Sequence, residues 1–480
     1  MMIILKRRKG ARGRTTRLQF EELRAKHPFI SYDDFKVERA GDSLKVTFHF
    51  TLEPHIEFKP EVVFESVDWA RVDELDAGLL DNLFFHLGLI ETLSYWKAAC
   101  SPEILIRAGA ISEEQREWWQ DLLLHGMGEY FYVNKIDYTQ PGLVKIRSER
   151  QADEQPHRYE AARPSDRSLV LTSGGKDTAL SLQLLSAAGK DFGCLLLNPT
   201  RAAEELAQRA GPQELLIVRR TIDPTLLELN RAGYLNGHTP FSAYLAFLGV
   251  IRAILGGYDR VIVSNERSSD EGNVEFLGRE VNHQYSKSFR FERKFQAYVA
   301  RYISPSVYYF SLLRPLYDIQ ISRLLAEYPA CLPVFKSCNR NQQENSWCGR
   351  CPKCVSVYTM LYPFAGRDRM IDIFGKDLFE SAETIPLIKE LAGLTEHKPF
   401  ECVGTVRETF AALHLSLRRA RSSESSLPPA LEFCRENVLP LNPEIAEQAE
   451  SLMQAWGEEH ALPPAYESLI KAQLKRIALS

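Results

Sequence analysis

From Phe29 to Phe64 apolar and polar residues alternate, most regularly in Ser43–Phe50 (SLKVTFHF) and His55–Phe64 (HIEFKPEVVF). A period of two sends successive side chains to opposite faces of an extended chain, so these segments read as antiparallel strands. The period then lengthens. Leu79–Ala99 carries large apolar residues at helical spacing, and SEEQ (Ser112–Gln115) offers a capping box ahead of WWQDLLLHGMGEYFY, which predicts a second helix. Past Ser168 the pattern changes again. SLVLT, FGCLLLN, ELLIV and RVIVS are short, continuous apolar runs separated by helix-like stretches such as FSAYLAFLGVIRAIL. Strands apolar on both sides, alternating with helices, predict a parallel sheet covered on both faces.

These patterns divide the chain. Residues 28–150 form an N-terminal α+β unit, and the polar, proline-bearing 151–167 reads as a linker. Residues 168–365 form an α/β unit, and 366–480 are mainly helical, interrupted by RSSESSLPPA (Arg421–Ala430). At 480 residues the chain has room for two or three packed units. The 59 basic and 63 acidic side chains nearly balance, which gives no overall reason to expect nucleic acid as the main partner. The exception is KRRKGARGRTTR (Lys6–Arg17), with seven basic residues and no acidic one. Nothing aromatic interleaves with those charges, so residues 1–27 are expected to be a disordered, solvated tail. The apolar start MMIIL is short and is followed, not preceded, by positive charge. No run approaches the roughly 18 apolar residues of a membrane helix. A cytoplasmic protein, not attached to a membrane, is expected.

The chemistry begins at Ser173-Gly174-Gly175-Lys176-Asp177-Thr178, between the first apolar run of the α/β unit and its first helix. Glycines let the main chain approach an anion, and the helix that follows presents free N–H groups and the positive end of its dipole. Ser173 and Thr178 add hydroxyls and Lys176 a positive charge, so a phosphate suits the turn. It is neither a Walker A loop nor a dinucleotide G-x-G-x-x-G. Farther along, Cys338, Cys348, Cys351 and Cys354 supply four sulfurs in SCNRNQQENSWCGRCPKCV. That spacing suits tetrahedral zinc in a closed, structural site, with an iron–sulfur cluster as the lesser alternative. Gly349 and Pro352 suit the tight turns of chelation. Cys100, Cys194, Cys331, Cys402 and Cys434 lack such spacing and read as buried small hydrophobes.

The glycine turn resembles the PP-loop of the N-type ATP pyrophosphatases. With the cysteine cluster it is similar to the 7-cyano-7-deazaguanine synthase family, which activates a carboxylate with ATP. A closer resemblance covers the chain from Pro28 to about Phe410. It is carried by YWKAACSPEI (Tyr95–Ile104), LLHGMGEYFY (Leu123–Tyr132), the SGGKDT turn, YLNGHTPFSA (Tyr234–Ala243), SNERSSDEGN (Ser264–Asn273), VNHQYSKS (Val281–Ser288) and ECVGTVRET (Glu401–Thr409). In these stretches the chain resembles the ATP-dependent UDP-N-acetylmuramoyl-L-alanyl-L-glutamate epimerases (MurL).

That resemblance implies a PP-loop α/β fold, ATP with Mg²⁺, and an acyl-adenylate on the way from L- to D-glutamate. It also implies UDP-MurNAc-L-Ala-L-Glu as substrate; the oligomeric state is left open. ATP contacts are expected from Ser173, Gly174, Gly175, Lys176, Asp177, Thr178 and Asn265, with Asp177 and Glu266 holding Mg²⁺. Substrate contacts are expected from His238, Arg267, Asn273, Asn282, Ser286 and Arg290. Proton transfer is sought at His283, Tyr285, Lys287 and His238, because it needs a group of tunable pKa. Two further clusters keep two readings each. His125 and Glu129, four apart, can pair on one helix face or meet a ligand. Arg290, Arg293 and Lys294 can receive a diphosphate or form a solvated helix face.

Overall fold

The computed structural model describes residues 13–151, 156–423 and 426–478. Its strands are β1 (Phe29–Ala40), β2 (Ser43–Leu52), β3 (Ile56–Phe58), β4 (Glu61–Phe64), β5 (Glu103–Ile106) and β6 (Lys145–Ser148). They continue as β7 (Ser168–Leu171), β8 (Phe192–Leu197), β9 (Glu214–Thr221), β10 (Arg260–Val263), β11 (Val274–Phe276), β12 (Arg279–Val281) and β13 (Tyr308–Ser311). Eleven of these form one sheet in the order β13-β10-β7-β8-β9-β4-β2-β1-β5-β6, with β3 beside β2. The segments on either side of 151–167 therefore share one sheet, sewn together by the antiparallel pair β4–β9. A bidentate ion pair reinforces the seam. Arg220 on β9 donates to Glu91 at 2.7 and 2.8 Å, with the Glu91 side chain fully buried on the helix Ala77–Trp96.

In the parallel half, β13, β10, β7, β8 and β9 are neighbours, which is the doubly wound order. Both faces are covered, as the continuous apolar runs predict. Leu169, Leu195 and Val261 enter one core with the helices Ala77–Trp96 and Phe241–Gly256. Their neighbours Val170, Cys194, Leu196 and Ile262 enter a second core with the helix Lys176–Ala187 and the C-terminal helices. In β2 the pattern is half-buried, alternating strictly from Ser43 to Leu52.

The capping box at Ser112 is formed, Ser112 Oγ accepting from Gln115 N and Gln115 Oε1 from Ser112 N. The helix it opens stops at Gly126, however, and a separate helix runs Gly128–Asn134. The tail expectation is corrected over part of its length. A helix spans Gly13–Lys26, Leu23 is buried, and Arg24 donates to Leu143 O at 2.8 Å. Apolar packing at Leu23 supplies what the basic composition hid; residues 1–12 lie outside the described residues. Beyond Ala365 the described chain is helical, from Arg367–Phe374 through Pro464–Ala478. No described helix is long and apolar enough to cross a membrane.

Candidate active site

The strand order reverses between β7 and β10, and ligands of such sheets bind beyond the strand ends at that point. The SGGKDT turn leaves β7 there, and the loop Ser264–Asp270 leaves β10 beside it. Ser173 Oγ lies 2.9 Å from Thr178 Oγ1, closing the turn on itself. Gly175 is the N-cap of the helix Lys176–Ala187 and supplies no side-chain cap, as an anion-receiving helix end requires. Gly174 is fixed by space. A Cβ there would sit 2.9 Å from Ala202 Cβ and 3.3 Å from Ala203 N.

Behind the turn lies a buried charge cluster. Lys176, expected on the phosphate, is ion-paired with Asp177 and Asp318, its side chain only 2% exposed. Sequence reading missed Asp318, which lies far along the chain at the start of the helix Asp318–Ala326. Glu266 is buried just past the end of β10, at the start of the turn Arg267–Asp270. Burial, then the charge of Asp177, raise its carboxyl to about 7 against the pull of Lys287 and Lys176. Three carboxylates and two ammonium groups thus share one buried cluster behind the turn.

The VNHQYSKS segment supplies the other side. His283 Nδ1 is 2.6 Å from Glu129 Oε2, and the rings of His283 and His238 lie 4.3 Å apart. Burial works against the charge on His283, but hydrogen bonds to Cys402 and Glu129 prevail and lift it to about 9. His238 moves the opposite way, well below its ordinary value, through burial and then the positive charge of His283. Lys287 Nζ is 3.2 Å from Cys402 Sγ. Two expectations are corrected here. His125 and Glu129 do not pair, because the helix breaks at Met127; His125 bonds Asp121 O and stacks on Tyr285, whereas Glu129 turns to His283. Cys402 is no inert hydrophobe, standing between two cationic side chains.

Several of the expected ATP, substrate and proton-transfer residues have partners within the protein. Asn273 accepts from His283 N at 2.8 Å and donates to Pro399 O at 2.7 Å, so its amide fixes the histidine. Asn265 donates to Ser311 Oγ at 3.3 Å, Arg267 lies over the Tyr317 ring, and Ser286 is buried. Tyr285 donates to Asp121 at 2.8 Å and Arg290 to the same carboxylate at 3.1 Å, joined by Lys294 at 2.7 Å; Arg293 bonds Gln296 on the surface. The charges of Arg290 and Lys294 therefore converge on Asp121. Asn282, Tyr285, Arg279 and Arg290 line a cavity of about 570 Å³.

Cys338, Cys348, Cys351 and Cys354 come together, all four sulfurs within 4.8 Å of one another. Cys348 and Cys354 are 3.7 Å apart, near the ~3.8 Å edge of a tetrahedron with ~2.3 Å metal–sulfur bonds. Main-chain N–H groups of Asn341, Cys348 and Cys354 point at the sulfurs. Gly349 takes φ +62° and Pro352 opens the helix Pro352–Ala365, as the turns require. The segment also touches both sides of the site. Before it, Lys336 N donates to Gly174 O at 2.7 Å and Ser337 Oγ accepts from Lys176 N at 3.3 Å. Within it, Lys353 donates to Cys402 O and, through its N–H, to Glu401 at 2.7 Å.

Residues 22–312 match the family model described as the MurL N-terminal domain, and 334–439 the MurL C-terminal domain. The chain belongs to the MurL family. It is similar to the UDP-N-acetyl-alpha-D-muramoyl-L-alanyl-L-glutamate epimerase of Xanthomonas oryzae pv. oryzae, 36% identical over 80% of this chain and 85% of the relative. Proteins of the same name from Micromonospora sp. and Salinispora tropica are 34% and 35% identical, over 79% and 68% of this chain and 83% and 72% of each relative. In MurL terms the N-terminal domain holds the whole 11-stranded sheet and the separate pair β11–β12. Cys402 and the cysteine cluster belong to the C-terminal one. The candidate site is therefore built where the two MurL domains meet.

Proposed function

We propose that this chain is an ATP-dependent epimerase that inverts the terminal L-Glu of UDP-MurNAc-L-Ala-L-Glu to D-Glu through an acyl-adenylate, releasing AMP and diphosphate. The observation that carries the reading is the similarity, over four-fifths of the chain, to a relative named as that epimerase. The site supplies a chemistry consistent with it. Removing an α-proton next to a free carboxylate places a carbanion beside an existing negative charge. The glutamate nitrogen is already in a peptide bond, so a Schiff base with pyridoxal phosphate cannot form. Adenylation removes the obstacle. The carboxylate attacks the α-phosphorus, diphosphate leaves, and the resulting acyl group can accept charge on its carbonyl oxygen.

In this reading Gly174, Gly175 and the following helix end receive the phosphates in a PP-loop, with Ser173 and Thr178 alongside. Asp177 and Glu266, with Asp318 added, would hold Mg²⁺, which when bound neutralises phosphate charge. Lys176 orients those carboxylates from behind. The substrate enters through the cavity lined by Asn282, Tyr285 and Arg290 and reaches His283 and His238. The four cysteines would hold zinc as a structural knot tying Lys336, Ser337 and Lys353 to the two sides of the site. The reading is tested by incubating the protein with ATP, Mg²⁺ and UDP-MurNAc-L-Ala-L-Glu. D-Glutamate after acid hydrolysis, with one AMP per activation, is the expected outcome; ADP alone, or L-glutamate alone, removes it. The carboxylate-to-nitrile ligase alternative finds no support among these relatives.

A further inference from the structure

We propose that Cys402 is a catalytic proton-transfer residue, placed on one face of the glutamyl α-carbon with His283 and Glu129 as the relay behind it. This rests on the epimerase reading above. The three groups form an ordered chain. Glu129 holds His283 through Nδ1 at 2.6 Å, leaving the other ring nitrogen for the thiol. Lys287 Nζ flanks the sulfur at 3.2 Å on the other side. Lys287 also feels the charges of Glu266 and Asp177, so this lysine links Cys402 to the carboxylates of the nucleotide side. The main chain at 402 is held by Lys353, whose own N–H is tied to Glu401. A side chain merely filling space would need none of these partners.

The other thiols outside the four-cysteine cluster give the contrast. Cys194 and Cys434 are buried among apolar groups, and burial pushes them up to about 11 and about 12. Cys402 is also desolvated, yet the charge of Lys287 and the hydrogen bond and charge of His283 bring it down to about 5. A thiolate is the reactive form, and these neighbours are of the kind that maintain it.

The step balances. The Cys402 thiolate takes the α-proton of the acyl-adenylate and becomes S–H. The Cα–H electron pair moves into the Cα–C bond, and the carbonyl π pair moves to oxygen, giving an enolate. A donor in exchange with water delivers a proton to the opposite face, restoring the carbonyl with inverted configuration. The Cys402 proton leaves through His283 to water. No oxidant, reductant or further cofactor is consumed.

The test uses the full-length protein with ATP and substrate in D₂O. Cys402→Ala and Cys402→Ser are followed by two rates, substrate-dependent ATP–pyrophosphate exchange and deuterium wash-in at the glutamate α-carbon. Both variants are expected to lose wash-in by about 10²- to 10⁴-fold, with pyrophosphate exchange reduced less than about tenfold. In the unmodified protein, iodoacetamide labelling of Cys402, located by peptide mass spectrometry, should be half-maximal near pH 5. In Lys287→Met the midpoint should rise above about pH 6. The proposal is overturned if Cys402→Ala keeps wash-in within tenfold of the unmodified protein, or if labelling is absent below pH 8. An acyl adduct on Cys402 in intact mass spectra also overturns it, since the sulfur would then be a nucleophile. If the unmodified protein shows no substrate-dependent pyrophosphate exchange, the epimerase reading fails and the proposal with it.

Discussion

The two sides of the site are made from opposite kinds of chain. The nucleotide side is one continuous stretch, a strand, two glycines and a helix start, and its geometry follows from local backbone rules. The proton side is assembled from pieces: Glu129 on a short helix, His238 and His283 in separate loops, Lys287 just after, and Cys402 beyond the cysteine cluster. The first can be perturbed by a single methyl group. The second depends on every segment arriving in register, and so it is held by supports such as Asn273, Lys353 and Glu401. On the proposed function, activation and inversion would then have separate structural foundations and should be separable by mutation.

The largest effect is expected at the turn. Gly174→Val puts side-chain atoms where Ala202 and the Ala203 N–H already stand. Pyrophosphate exchange should fall about 10²- to 10³-fold, with circular dichroism unchanged, because the phosphates lose the main-chain approach. If exchange survived, the glycine turn would not be the seat of activation, and the contrast between the two sides would dissolve. The knot between them comes next. Cys351→Ser should abolish bound metal in elemental analysis and lower the melting temperature by at least about 5 °C. Both rates should then fall together, since Lys336, Ser337 and Lys353 lose their anchor.

Much of this frame was legible in the sequence because its signals are local. Four continuous apolar runs became β7, β8, β9 and β10, and the S-G-G-K-D-T spacing placed a helix N-terminus at the switch in strand order. The four cysteines were equally legible, since chelation demands short spacing. Cys402 was not. Its significance lies in Lys287, 115 residues away in sequence, and nothing in E-C-V-G announces it. Asp318, the contact of Glu129 with His283 and the β4–β9 pairing were hidden for the same reason. For Lys176 the turn suggested a phosphate contact, and the ion pair with the distant Asp318 could not be read from the local sequence.

Asn273 sharpens the comparison from the proton side. Asn273→Ala leaves the buried His283 N–H and Pro399 carbonyl without partners, at a cost of roughly 1–3 kcal/mol each. Because this support faces the relay, deuterium wash-in should fall about 10- to 100-fold, while pyrophosphate exchange changes less than about threefold. Equal losses in both rates would show that the two sides are one mechanical unit.

The smallest effect concerns the pH dependence of stability, through Glu266. Its carboxyl is raised to about 7 in the folded protein from an ordinary value of 4.5, first by burial and then by Asp177. Between those two values the folded state keeps a proton that the unfolded state has released, so this contribution is fully present below pH 4.5. It is lost as pH rises through 7. Glu266→Gln carries no such proton and should flatten the decline in melting temperature between pH 5 and pH 7.5 by a few degrees, measured without Mg²⁺. Adding Mg²⁺ with nucleotide to the unmodified protein should flatten the same slope, because a cation among Asp177, Glu266 and Asp318 replaces the proton. If Mg²⁺ leaves the slope unchanged while Glu266→Gln removes it, the carboxylate cluster supports the turn without receiving the metal. Divalent binding would then have to be sought on the phosphates alone.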